Sequence, residues 1–193
     1  MTLKDIILEI KPDRIYIIIS PTARTDFQYP AKGYAGPSGR IDEIARSILS
    51  LTRPSSLIIA ILMGPPNPPV TIIYYRKPSC IFMSEREVVY SIRKAPKDST
   101  CIRIEYISAR DIVSLLAGMG YKIMLLSEQG VDISELKPKM PRLAFLLGAH
   151  VDIPKHIIED VEGYIVNRVS IGPLSYQASQ VIAYLEWEAE ACK

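Results

Sequence analysis

Cysteine and histidine are scarce in this chain of 193 residues, at three and two copies. Cys80, Cys101 and Cys192 are scattered and odd in number, which argues against a disulfide framework and for a reducing compartment. With only His150 and His156 beside them, no metal-ligand pattern can be drawn. Long apolar runs are also missing. A stretch such as Leu57 to Met63 falls far below the roughly 20 residues that cross a bilayer. Lys4, Asp5 and Glu9 leave no place for the basic and apolar regions of a secretory signal, so a cytoplasmic protein without a membrane partner is expected. There is no G-x-G-x-x-G and no Walker lysine, hence no cradle for a polyphosphate. No Ser–His–Asp or Cys–His arrangement suggests itself. Repeats, low-complexity tracts and linkers are absent as well, which leaves one domain over residues 1–193.

What is present is a chain with 48% hydrophobic and 23% charged residues, the balance expected of a soluble globular protein. Its net charge of +2 conceals a division. Residues 1–110 carry 16 Lys and Arg against 10 Asp and Glu, whereas residues 111–193 carry 7 against 11. Such segregation arises by chance or marks a polyanionic partner, and in the second case the first half supplies the phosphate contacts.

"RIYIIIS" (14–20) reads as a buried strand, as do "SLIIAILM" and "VTIIYY" on either side of the proline-rich turn "GPPNPP". That turn leaves Asn67 held between two proline pairs with its side chain free to be aimed. Ile41, Ile44, Ala45, Ile48 and Leu49 recur at helical spacing after Ser38, a candidate N-cap. "SERE" (84–87) fits a capping box ahead of a second helix, and Ser108-x-x-Asp111 opens a third that stops at Gly118 and Gly120. "CIRIEYI", "YKIMLL", "LAFLLG" and "YIVNRVS" supply further strands, "IPKHIIEDV" is a short helix, and Pro173 opens a final helix to about residue 191. Helices alternating with apolar strands indicate an α/β fold with a mostly parallel sheet flanked by helices. The last helix has two apolar stripes: Ala178, Val181, Ile182 and Leu185, then Tyr176, Ala183, Tyr184 and Trp187. One core needs one stripe, so the second faces another subunit, unless the helix is deeply buried in its own.

Three turns follow strands: Ser127–Gly130, Gly148–Val151 and Ser170–Pro173. Ligands of open α/β sheets bind beyond the carboxyl ends of strands, and these turns could offer backbone groups to a nucleoside. Glycine turns at strand ends are equally the ordinary furniture of such folds. In "GPSGRIDEIAR" (36–46), Arg40 and Asp42 lie in the first turn of a helix and Arg46 further along. Asp42 there could orient an arginine or accept a proton, or the whole group could be a solvated helix start.

Four blocks occur in order: Gly36-x-x-Gly39-Arg40-Ile41-Asp42-x-x-Ala45-Arg46, then Gly64-x-Pro66-Asn67-Pro68-Pro69-Val70, Leu147-Gly148-x-His150, and Val169-Ser170-x-Gly172-Pro173-Leu174. Together they resemble the archaeal tRNA pseudouridine N1-methyltransferases of the SPOUT superfamily. The resemblance implies a SPOUT-type α/β domain with a C-terminal trefoil knot, acting as a homodimer. It implies an S-adenosylmethionine-dependent enzyme that methylates N1 of pseudouridine at position 54 in the T loop of tRNA, with no DNA partner expected. Ribosomal RNA as the substrate, or a non-catalytic RNA-binding dimer, are the alternatives. Carried over by position, the cofactor contacts fall on Leu126, Gly148, Val169, Ser170, Ile171, Gly172, Pro173, Leu174 and Ser179. Arg40, Asp42 and Asn67 become the catalytic candidates, and Arg40, Arg46 and Asn67 the RNA-binding ones.

Overall fold

The computed structural model describes residues 1–30, 32–135 and 142–191. Its centre is one seven-stranded sheet in the order β4-β3-β2-β1-β6-β5-β7. The strands are β1 (Arg14–Ser20), β2 (Ser56–Leu62), β3 (Val70–Tyr75), β4 (Arg103–Glu105), β5 (Lys122–Asp132), β6 (Leu143–Gly148) and β7 (Ile165–Ser170). The ladders β1–β2, β1–β6, β5–β6 and β5–β7 are parallel, and β3 runs antiparallel to both β2 and β4.

Period-2 alternation splits the core into two layers. Tyr16, Ile18, Ile58, Ala60 and Phe145 point to the side covered by α2 (Ile41–Leu49), α3 (Glu85–Lys94) and α6 (Ala178–Ala191). Ile15, Ile17, Ile19, Ile59 and Leu146 point to the side covered by α1 (Leu3–Ile10), α4 (Ala109–Gly118) and α5 (Lys155–Val161). Covered on both faces, β1 and β2 are buried along their full length, which is why their sequences are near-continuous β-branched runs.

Several expectations need correction. Cys80 and Cys101 form a disulfide, although three scattered cysteines argued against one; the fold brings together residues 21 apart in sequence, which spacing alone does not reveal. Cys192 lies outside the described residues. The first helix, α1, is unassigned from periodicity because it is short, yet Thr2 and Asp5 give it a reciprocal capping box. The box expected at Ser84 is half made: Ser84 accepts from the Glu87 N–H, but Glu87 caps the N–H of Met83. Of "CIRIEYI" only Arg103–Glu105 pairs as strand. Pro173 does not open the last helix, which begins five residues later at Ala178. Strand β5 does not end at Leu126 either. Residues 127–130 leave the ladder, and Leu126 and Val131 both pair with Val169, so the expected turn is an excursion within one long strand. Among the described residues no helix is long and apolar enough to cross a membrane.

Candidate functional site

The loop after β1 is the frame on which two of the four sequence blocks are hung. Arg24 donates its N–H to the Ser38 carbonyl, and Thr25 donates to the Pro65 carbonyl. Gly64 in turn donates to the Ala23 carbonyl at 2.9 Å, and the Asn67 N–H donates to Thr25 Oγ1 at 2.9 Å. The approach is close enough to require glycine at both anchors. A Cβ on Gly39, where φ is +67°, would sit 1.9 Å from the Thr22 carbonyl oxygen, and one on Gly64 would sit 2.3 Å from the same atom. The proline turn (its Pro65–Pro66 and Pro68–Pro69 bonds are cis) is thereby fixed beside the start of α2, with Asn67 exposed at its tip.

The excursion of β5 at 127–130 and the turns after β6 and β7 do converge. They line a cavity of about 290 Å³ together with Arg40, Glu43 and the segment leading into α6. Its walls are drawn close by missing side chains. A Cβ on Gly130 would lie within 2.6 Å of three Val169 backbone atoms, and one on Gly148 would meet the Val151 carbonyl oxygen at 2.2 Å. Ser170 Oγ donates to the Gly172 carbonyl and accepts from its N–H, which curls the third turn on itself. Ala149 is buried; its N–H donates to the Ile19 carbonyl and its carbonyl accepts from Ala178, tying the second turn to both β1 and α6. A second cavity of about 750 Å³ shares Leu126, Ser127, Glu128, Gly148 and Asp152 with the first and extends toward α5.

The chemistry of this lining is specific in two respects. Glu43, Glu128 and Asp152 bring carboxylates to the first cavity, against one guanidinium, that of Arg40. Two buried acceptors in the lining have no protein partner, Glu43 Oε2 and His150 Nδ1. Thr22 Oγ1 gives its proton to the Gly39 carbonyl at 2.8 Å, so at the 3.4 Å contact with His150 it is Nε2 that carries hydrogen. That leaves Nδ1 as an acceptor.

Beside the cavity stands a charge network on α2. Asp42 and Glu43 are 3% and 1% exposed. Arg40 binds Asp42 Oδ1 and Oδ2 through Nε at 3.0 and 3.2 Å, binds Oδ2 again through Nη2 at 2.9 Å, and also reaches Glu43. Arg46 contacts Asp42, Glu43 at 3.2 Å, Glu85 of α3 at 3.4 Å and Gln177 at 3.4 Å. The hydrogen bond to Asp42, together with the charges of Asp42 and Glu43, holds the Arg40 guanidinium above its usual range. The N-cap of α2 is Arg40, left-handed with φ of 74° and without a side-chain cap bond, rather than the expected Ser38; Ser38, two residues earlier, still accepts from the Ile41 N–H through Oγ at 3.0 Å.

Of the expected site residues, Leu126, Gly148, Val169, Ser170, Ile171, Gly172 and Leu174 line the cavity, and so does Arg40. Asp42 and Arg46 stand behind Arg40 in the network. Pro173 and Ser179 are not in the lining, and Asn67 belongs to the neighbouring proline turn. Glu43, Glu128 and Asp152 were not singled out by sequence, because lone carboxylates near turns carry no pattern.

Comparison with known proteins gives this geometry its context. Residues 13–190 match the family described as "Putative SAM-dependent RNA methyltransferase". A tRNA (pseudouridine(54)-N(1))-methyltransferase of Aeropyrum pernix is 38% identical over 176 residues, covering 86% of this chain and 89% of that protein. The protein of the same name from Pyrococcus abyssi is 28% identical over 195 residues, covering 89% and 95%. In fold, the chain is similar to the Archaeoglobus fulgidus Nep1 crystal structure bound to S-adenosylhomocysteine, with a TM-score of 0.62 at 16% identity, covering 93% of this chain and 97% of that one. By the extent of the family match and the identity to its relatives, this chain belongs to the S-adenosylmethionine-dependent RNA methyltransferases.

Proposed function

We propose that the chain transfers the methyl group of S-adenosylmethionine to N1 of a pseudouridine in tRNA, at position 54 as the names of its relatives specify. The observation that carries the reading is the convergence of the turns at 127–130, 148–151 and 170–173 on one cavity whose charged lining is mostly carboxylate. This lining fits the cofactor. A sulfonium and an ammonium are cationic, there is no phosphate to satisfy, and the orphaned acceptors Glu43 Oε2 and His150 Nδ1 suit the N–H and O–H groups of an adenosine or amino acid. When bound, S-adenosylmethionine supplies an already activated methyl group.

The protein then has to position the acceptor nitrogen and deal with its proton. Leu126, Gly148 and the stretch Val169 to Leu174 form the cofactor wall, with Pro173 and Ser179 supporting it from outside the lining. Arg40, at the cavity edge, and Arg46 contact the RNA. Asn67 presents both an amide donor and an acceptor to the edge of the target base. Asp42 acts as the residue that orients the two arginines, because both of its oxygens already take guanidinium hydrogens. The turns around β5 and β7 are read as the loops of a trefoil knot. Trp187 on α6 and Tyr176, which lies in the segment ahead of the helix rather than on it, are 63% and 38% exposed and are read as the homodimer face.

Mass spectrometry of tRNA nucleosides after incubation with protein and cofactor tests the function, with N1-methylpseudouridine as the expected product. Methylation confined to ribosomal RNA would reject the tRNA assignment. Calorimetric silence toward both S-adenosylmethionine and S-adenosylhomocysteine would reject an enzyme altogether. For Asp42, Asp42→Ala releases both guanidiniums and lowers tRNA affinity as well as turnover; tRNA affinity equal to wild type would remove Asp42 as the residue that orients the arginines.

A further inference from the structure

The charge of the basic half is concentrated in one segment that the site description does not use. Residues 76–103, which contain α3, carry seven Lys and Arg against three Asp and Glu, whereas the remainder of the chain carries 16 against 18. Ion pairing sharpens the contrast. Arg24, Arg40, Arg46, Arg53, Arg110, Lys155 and Arg168 pair with carboxylates, and none of them lies in this segment. Proteins ordinarily intersperse surface charges of both signs, so an uncompensated run calls for a partner that supplies the anions.

We infer that the solvent face of α3 is a track for the RNA phosphate backbone, leading away from the methyl-transfer cavity; the inference rests on the proposed RNA substrate. Three observations define it. Arg86, Tyr90 and Lys94 are exposed and recur every four residues on α3, about 6 Å apart along its axis, and the exposed Lys97 follows in the turn after the helix. Tyr90 is 54% exposed, an aromatic among cations, with Lys94 Nζ 4.4 Å from its ring centroid; this pairing of stacking face and charge suits nucleic acid. The track is also continuous with the site. Arg46 bridges Glu85, the first residue of α3, and Gln177 in the cavity wall. The opposite face of α3 is spent on the core through Val88, Val89 and Ile92, which leaves the helix no apolar stripe to insert into a lipid surface. The Cys80–Cys101 disulfide closes the loop that carries the helix.

The test is fluorescence anisotropy of a labelled tRNA at salt concentrations from 0.05 to about 0.3 M, with methyl transfer measured in parallel. The triple variant Arg86→Ala, Lys94→Ala, Lys97→Ala removes three phosphate contacts. It therefore lowers the slope of log affinity against log salt by about 2 to 3, and affinity at 0.1 M salt by about 100-fold. S-adenosylhomocysteine affinity stays unchanged, and the charge-preserving Arg86→Lys, Lys94→Arg, Lys97→Arg retains the slope. Tyr90→Leu lowers affinity about 10-fold with the slope intact. If the wild type methylates tRNA and the alanine variant keeps its slope, the track is wrong and the proposed function stands. If tRNA binds with the expected change of slope but acquires no methyl group, the track stands and the proposed function fails. Binding of phosphatidylserine vesicles with no binding of tRNA would overturn both.

Discussion

Gly148→Ala is the sharpest probe of the cavity, because its geometry predicts both a direction and a size. The added Cβ would lie 2.2 Å from the Val151 carbonyl oxygen and 3.2 Å from its carbon. An ordinary contact needs roughly 1 Å more, and the obstacle is backbone, so the turn itself has to open rather than a side chain rotate. Overpacking of this kind costs about 1 to 3 kcal/mol, which in a chain of this length lowers Tm by about 2 to 10 °C. The effect on the ligand is larger in proportion. A turn displaced by about 1 Å stretches a 2.9 Å hydrogen bond past the geometric limit, and losing one or two such bonds weakens cofactor binding about 10- to 100-fold. Calorimetry with S-adenosylhomocysteine, run beside thermal unfolding, separates the two effects. Gly163→Ala is the matched control, since a Cβ there meets nothing within 4 Å. Cofactor affinity within twofold of wild type in a folded Gly148→Ala protein would refute the assignment of this turn to the cofactor wall.

Four further outcomes rest on individual contacts in the fold. Glu186, 1% exposed, accepts from Tyr16, Ser56, the Thr52 hydroxyl and the N–H groups of Thr52 and Arg53, so Glu186→Gln turns one acceptor into a donor and costs about 1 to 3 kcal/mol, read from urea midpoints. Burial, reinforced by the charge of Glu186, pushes the Tyr16 hydroxyl well above the ordinary value of 10.0. Above that pH the unfolded chain loses this proton and the folded one keeps it, so stability falls by about 1.4 kcal/mol per pH unit for this group, and Tyr16→Phe flattens the decline measured by denaturation at pH 10 to 11.5. Reducing Cys80–Cys101, which joins residues 21 apart, restores chain entropy worth about 3 kcal/mol and lowers Tm by about 6 to 12 °C; an unchanged Tm would show that the bond does not form in solution. Thr22→Val, at an exposed position, removes the hydroxyl between the Gly39 carbonyl and His150 and lowers turnover about 10-fold with tRNA and cofactor affinity within threefold, measured by single-turnover transfer.

Much of the frame was legible because it is written in side-chain period. β1, at Arg14–Ser20, falls on the run read from β-branched residues, α2 falls on its apolar spacing, and α4 on its spacing and its Ser108 cap. Most of the residues of the three strand-end turns that were assigned to the cofactor line the cavity. Where sequence reasoning failed, the cause lies in groups that carry no periodic signal. The loop at 21–25 works mainly through backbone N–H and carbonyl groups, which look the same in every residue. Glu186 sits on the last helix beside the apolar stripe and reads as one more surface acid until five donors close around it. Glu43 reads as a helix-start charge for the same reason. Proline at 173 is compatible with a helix start, but Ser170 curls the chain back at Gly172 first, and α6 begins only where Ala178 can donate to the Ala149 carbonyl.

The loop after β1 also ties together residues from blocks distant in sequence that are proposed to act on one reaction. The Thr22 carbonyl oxygen is the atom against which both Gly39 and Gly64 are pressed, so it fixes the start of α2, with Arg40, relative to the proline turn, with Asn67. The side chain of the same residue touches His150, two positions after the glycine that shapes the turn following β6. One exposed threonine therefore links the residues proposed to hold RNA to the turn proposed to hold the cofactor. Positioning catalysis demands this, because the acceptor nitrogen and the methyl carbon have to meet within about 3 to 3.5 Å, and neither binding site alone sets that distance. Binding of each partner depends on its own wall; their separation depends on the piece of chain that both walls share. Substitutions there are accordingly expected to spare both affinities and to slow the transfer step.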